Sequence, residues 1–278
     1  MNLERMVKIV EFNKKNGEKI DEKIDEVLSD CQSNKMSFLL NFDDYLFNVL
    51  YKKNVLVIIV PLDDNEIGAV TYKGDKYKYL ILNSSLPYVN NRFSLAHELY
   101  HIYQKNTFNS KIELNKDQYI LEPEELEANC FAGMLLMPQP VFCTTFKTCM
   151  EEYHDLKKTI VFLSSYFKVP FMASLIRTIE LDLFNIEDMD ESFFDITLDE
   201  LKSIFDDLLL NSKILEASFA DNIEILFKAM KKVGNKNVND GFIKESFLNK
   251  CISNCERIIK ELRGNGNDKL SWNSCELY

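Results

Sequence analysis

The sequence predicts an α+β fold in which a small mixed sheet packs on helices and a helical C-terminal region follows. Three observations predict it. β-Branched and aromatic runs cluster between residues 55 and 83, two helix-forming segments come directly after them, and helical periodicity dominates beyond Pro140.

The elements follow in chain order. Residues 1–51 read as an amphipathic helical lead-in, because Val7, Val10, Ile20, Ile24 and Leu28 recur three or four apart among Lys and Glu. Val55 to Val60 is a β-branched run stopped by Pro61, and it is the clearest strand. Gly68 to Tyr72 predicts a second strand. The turn Lys73-Gly74-Asp75 leads to a third, Tyr77 to Leu82, ending at Asn83. Ser94 is the expected N-cap of a helix running to about Gln104, and a polar loop is expected from Lys105 to about Glu122. Pro123 suits the first position of a second helix, which Pro138 ends. Further helices are expected at Leu156–Phe167, Phe171–Leu181, Leu198–Leu210, Ile214–Lys232 and Ile243–Leu262, then a disordered tail from Gly264. An acidic stretch at Leu183 to Phe194 interrupts this pattern and places a domain boundary at 182/183, dividing the chain into 1–182 and 183–278.

Composition narrows the function classes. With 33 Lys plus Arg against 44 Asp plus Glu, the net charge is −11, which repels a phosphate backbone, so direct nucleic-acid binding is not expected. No apolar leader opens the chain, and the longest apolar run, Val55 to Leu62, falls far short of the ~20 residues of a membrane helix. Seven scattered cysteines without export features predict reduced thiols in a cytoplasmic protein. Neither Cys143/Cys149 nor Cys251/Cys255 has a second pair at zinc-ribbon spacing. No phosphate loop or nucleophile elbow is present.

One segment carries chemistry. In His97-Glu98-Leu99-Tyr100-His101 the two histidines stand four apart on a helix, so both imidazoles can reach one cation, and zinc suits such a pair. Glu98 lies to the side of the pair, where it can reach a water on the metal and act as general base. With three histidines in the whole chain, this spacing arises by chance on the order of a few times per thousand sequences. A catalytic zinc needs a third protein ligand and an open position. The acidic start of the second helix, Glu124-Glu125-Leu126-Glu127, offers candidates, although helix-dipole stabilisation accounts for first-turn acids equally well. Glu125 and Asn129 share a face, so a carboxylate can bind the ion while the amide orients a histidine. Glu124 and Glu127 stay open as alternatives.

The segments Arg92-Phe93-Ser94-Leu95-Ala96-His97-Glu98-Leu99-Tyr100-His101, Glu125-Leu126-Glu127-Ala128-Asn129-Cys130-Phe131-Ala132 and Leu135-Leu136-Met137-Pro138 together resemble the ImmA/IrrE metallopeptidases over roughly Val55 to Leu181. The resemblance implies a zincin-like fold in which His97, His101 and Glu125 hold Zn2+ and Glu98 activates water. It also implies a protein substrate, such as a transcriptional repressor or another regulatory protein. Tyr100 departs from the family pattern, which usually has Gly there, and reads first as a packing residue. His154 reads first as a surface histidine and second as an oxyanion donor. The rival expectation is a non-catalytic zinc-fold module that binds a transcription regulator. Oligomeric state is not legible.

Overall fold

The computed structural model describes residues 1–34, 37–38, 41–64, 67–73, 78–104, 122–189 and 191–262. Residues 105–121 of the expected polar loop, Gly74 and Asp75 of the expected turn, and the tail from Gly264 lie outside them.

Val55–Val60 forms β1, Ala69–Lys73 forms β2 and Lys78–Asn83 forms β3. β3 is central: it runs parallel to β1 in the register Val55↔Lys78 to Val60↔Asn83 and antiparallel to β2 in the register Ala69↔Leu82 to Lys73↔Lys78. The sheet is therefore mixed, as expected. At the end of β3 the fully buried Asn83 organises the exit loop. Its Oδ1 accepts from the Leu62 and Ser85 amides at 3.0 Å each, and its Nδ2 donates to the Asp64 and Ile67 carbonyls at 2.6 and 2.9 Å. A side chain that satisfies four backbone groups ties the exit of β3 to the segment that follows β1.

Leu3–Asp30 forms α1 and Phe42–Lys52 forms α2, both within the expected helical lead-in. α1 buries Met6, Ile9, Val10, Ile20, Ile24, Val27 and Leu28, which include every residue of the expected stripe except Val7, half-buried here. Tyr88–Tyr103 forms α3 and Pro123–Leu136 forms α4. α3 is buried on nearly every face, because β2 and β3 lie on one side of it and α4 on another. α1 covers α4 in turn. Ser94 lies inside α3 instead of capping it, and the helix starts two turns earlier, after Pro87. Gln139–Tyr153 forms α5, a helix the sequence reading did not place. Leu156–Phe167 forms α6, Phe171–Glu180 forms α7, Leu198–Asp207 forms α8, Ile223–Asn239 forms α9 and Glu245–Leu262 forms α10.

The helix expected over Ile214–Lys232 is broken. Ser212–Leu215 is a short 3₁₀ turn, and residues 216–222 are not helical before α9 begins. The Glu216 carbonyl accepts from the Tyr88 amide at 3.1 Å, meeting a donor that the first turn of α3 leaves unpaired. The Phe219 amide donates to the Ser84 carbonyl at 3.0 Å, and the Asn222 amide donates to the Ile59 carbonyl at 3.0 Å. Tertiary hydrogen bonds override local helical preference there. One apolar core runs from Met6 in α1 to Leu215, and it includes Phe193, Leu201 and Phe205 beyond residue 182. No single described helix is long and apolar enough to cross a membrane.

Candidate metal centre

His97 and His101 stand one turn apart in the last half of α3, and Glu125 stands in the first turn of α4 packed beside it. The side chains converge. His97 Nε2 lies 3.1 Å from His101 Nε2 and 3.1 Å from Glu125 Oε2, and His101 Nε2 lies 3.5 Å from Glu125 Oε1. His101 and Glu125 are each 8 % exposed, and His97 is partly buried. Among the described residues this is the group whose donor atoms all fall within 4.8 Å of one another. Ligand atoms of a tetrahedral zinc, bonded at about 2.0–2.2 Å, stand about 3.3–3.6 Å apart. The observed separations match that spacing to a few tenths of an ångström, so the donor set fits such an ion.

The outer nitrogens of the two imidazoles are also engaged. His97 Nδ1 lies 2.8 Å from Asn129 Oδ1, which as an amide oxygen can only accept, so Nδ1 carries a proton and Nε2, across the ring, faces the cluster. The expected pairing of Glu125 with Asn129 on one helix face accounts for this. His101 Nδ1 faces Glu124 Oε1 at 3.6 Å. Sequence reasoning weighed Glu124 as a ligand but did not see this role. The i, i+4 rule that pairs Glu125 with Asn129 carries no information about how a neighbouring helix meets α3.

The electrostatics are those of a coupled pair. Burial disfavours charge on His97, yet the hydrogen-bonded Glu125 carboxylate, together with the charge of Glu98, raises its pKa above the ordinary value. Burial likewise acts to raise the Glu125 pKa, but hydrogen bonds from His101 and His97 and their charge hold it well below the usual carboxylate range. Glu124 is pushed up, first by burial and then by the neighbouring Glu125 against the opposing pull of His101. Glu98 is 8 % exposed on the same turn as His97.

Residues 51–178 match the family model described as the IrrE N-terminal-like domain, Peptidase_M78. Over these residues, fewer than half of the chain, the protein is similar to the M78 peptidase family. The match covers the sheet, α3 to α6 and most of α7; α1, nearly all of α2, and α8 to α10 lie outside it. A comparison with curated proteins gave no match.

Within the matched region the remaining expectations separate. Glu127 lies outside the cluster: it accepts from the Tyr100 hydroxyl and pairs with Lys19 of α1. Tyr100 is 3 % exposed, its ring is 5.5 Å from that of Phe131, and burial followed by Glu127 pushes its hydroxyl well above the ordinary pKa. It is a packing residue that joins α3 to α4 and, through Glu127, to α1. His154 ends α5 in a left-handed conformation (φ 49°), is exposed, and takes no part in the cluster. Lys73, in β2, was not foreseen. Its ammonium donates to the His101 carbonyl at 3.1 Å and also to the Gln104 carbonyl, placing a cation where α3 concentrates negative partial charge. Cys31, Cys130, Cys143, Cys149, Cys251 and Cys255 are free thiols.

Proposed function

We propose that the chain is a zinc-dependent endopeptidase that cleaves a specific cytoplasmic protein, a transcriptional repressor or a comparable regulator. The observation that carries the reading is the convergence of His97 Nε2, His101 Nε2 and the Glu125 carboxylate in a region similar to the M78 peptidase family. On this reading His97, His101 and Glu125 hold the ion, and Glu98 is the general base. An ion held by His97, His101 and Glu125 would supply Lewis acidity toward a peptide carbonyl and make a water at the site easier to deprotonate. Glu98 takes the proton from the attacking water and delivers it to the departing amine, so one carboxylate serves both halves of the reaction. Asn129 keeps His97 in the tautomer that offers Nε2. Burial of Glu98 and His101 keeps these charges out of bulk water, where each interaction would be weaker.

The test joins chemistry to substrate. Wild type and Glu98→Gln are expressed in the same cells, cleaved proteins are sought by mass spectrometry, and bound zinc is measured in both purified proteins. Wild type and Glu98→Gln are expected to carry equal zinc, and only the wild type to generate a new protein terminus. A partner that stays intact in a stable, chelator-insensitive complex would overturn catalysis in favour of a binding module. Full cleavage by Glu98→Gln would remove Glu98 from its role.

A further inference from the structure

We propose that Glu124 is a positioning residue for the metal, acting through His101. The inference rests on the reading of His97, His101 and Glu125 as the ion-holding set. Asn129 already shows how one histidine is held: its amide oxygen is 2.8 Å from His97 Nδ1. His101 presents the same nitrogen, Nδ1, to the neighbouring carboxylate oxygen, Glu124 Oε1, at 3.6 Å. That oxygen is shielded from solvent and has no hydrogen-bond partner among the described residues. A buried carboxylate oxygen without a donor is costly, and the imidazole N–H a few tenths of an ångström beyond bonding distance is the group placed to meet it. Drawing His101 Nε2 and Glu125 onto a common ion needs movements of that size, because their present separation of 3.5 Å already lies within ligand spacing.

The two supports differ in chemistry. His97 donates to a neutral amide, whereas His101 would donate to a carboxylate, which makes the imidazole a stronger donor at Nε2. The placement has a structural origin. Glu124 and Glu125 are consecutive in the first turn of α4, so their side chains diverge by about 100° around the helix axis, one meeting the Nε2 side of His101 and the other its Nδ1 side. Lys73, in β2, holds the His101 carbonyl from behind, so the backbone carrying the imidazole is fixed while its ring is oriented by Glu124.

The test measures zinc affinity by competition with a chromophoric chelator for wild type, Glu124→Ala, Glu124→Gln and Glu125→Ala. Far-UV circular dichroism of the chelator-treated proteins checks that each folds. Glu124→Ala is expected to bind one zinc with affinity about 10–100-fold weaker. Glu124→Gln keeps an oxygen acceptor, so it is expected to recover part of that loss. Wild-type affinity in a folded Glu124→Ala would overturn the proposal while leaving the peptidase reading intact. Loss of stoichiometric zinc equal to that in Glu125→Ala would also overturn it, by making Glu124 a ligand. Failure of the wild type to bind zinc would instead sink the reading of the site itself.

Discussion

Asn129 accepts from His97 Nδ1 across the α3–α4 contact, at 2.8 Å. This bond keeps a proton on Nδ1 and turns Nε2 toward Glu125. Asn129→Ala is expected to leave one zinc bound at about 10–100-fold lower affinity, and Asn129→Asp, which retains an acceptor, to bind more tightly than Asn129→Ala. Chelator competition checks both, and an unaltered affinity for the alanine variant would show that packing alone sets the His97 ring.

The His97 and Glu125 shifts predict a pH window for protein stripped of metal by a chelator. His97 has a raised pKa, so its contribution is complete below the unfolded value of 6.5 and fades as pH rises through the folded value. Glu125 has a lowered pKa, so its contribution is present above the unfolded value of 4.5 and fades as pH falls through the folded value. The pair therefore stabilises the stripped protein most between about pH 4.5 and 6.5. Urea midpoints across pH, compared between wild type and Glu125→Gln, should diverge most in that interval; parallel curves would refute the coupling. Zinc must displace the His97 proton, so its apparent affinity is expected to fall on acidification in the same range.

Asn222 links the C-terminal region to the sheet. Its Oδ1 accepts from the Ile59 amide at 2.8 Å and its Nδ2 donates to the Val57 carbonyl at 3.2 Å, so it occupies the outer edge of β1 as a strand would. Asn222→Ala leaves both part-buried backbone groups without those partners and should cost about 1–3 kcal/mol in urea unfolding. A loss below about 0.5 kcal/mol would mean that water replaces the amide freely.

Much of the fold was legible because its signals are local. β1 is a β-branched run bounded by Pro61, α4 begins on a proline and ends before another, and the apolar stripe of α1 repeats at the helical period. His97 and His101 are one turn apart, so their alignment follows from helix geometry alone. The start of α3 was misplaced for the opposite reason. Its first turn is held by Asn91 Nδ2 donating to the Leu86 carbonyl at 3.1 Å and by Glu216, more than a hundred residues away, so Ser94 imitates a cap in a place where none is needed.

Residue pattern alone specified the strands, most of the helices, the histidine pair and a short run of acids from which one partner had to come. Only the tertiary structure decided among those acids. Glu124, Glu125 and Glu127 share composition, charge and helix turn, and they differ only in where the packing of α4 between α3 and α1 directs each side chain. Glu125 enters the imidazole cluster, Glu124 faces the back of His101, and Glu127 turns to Tyr100 and Lys19. An angular step of about 100° between consecutive helical residues becomes a difference in role only once a second helix supplies the direction that matters.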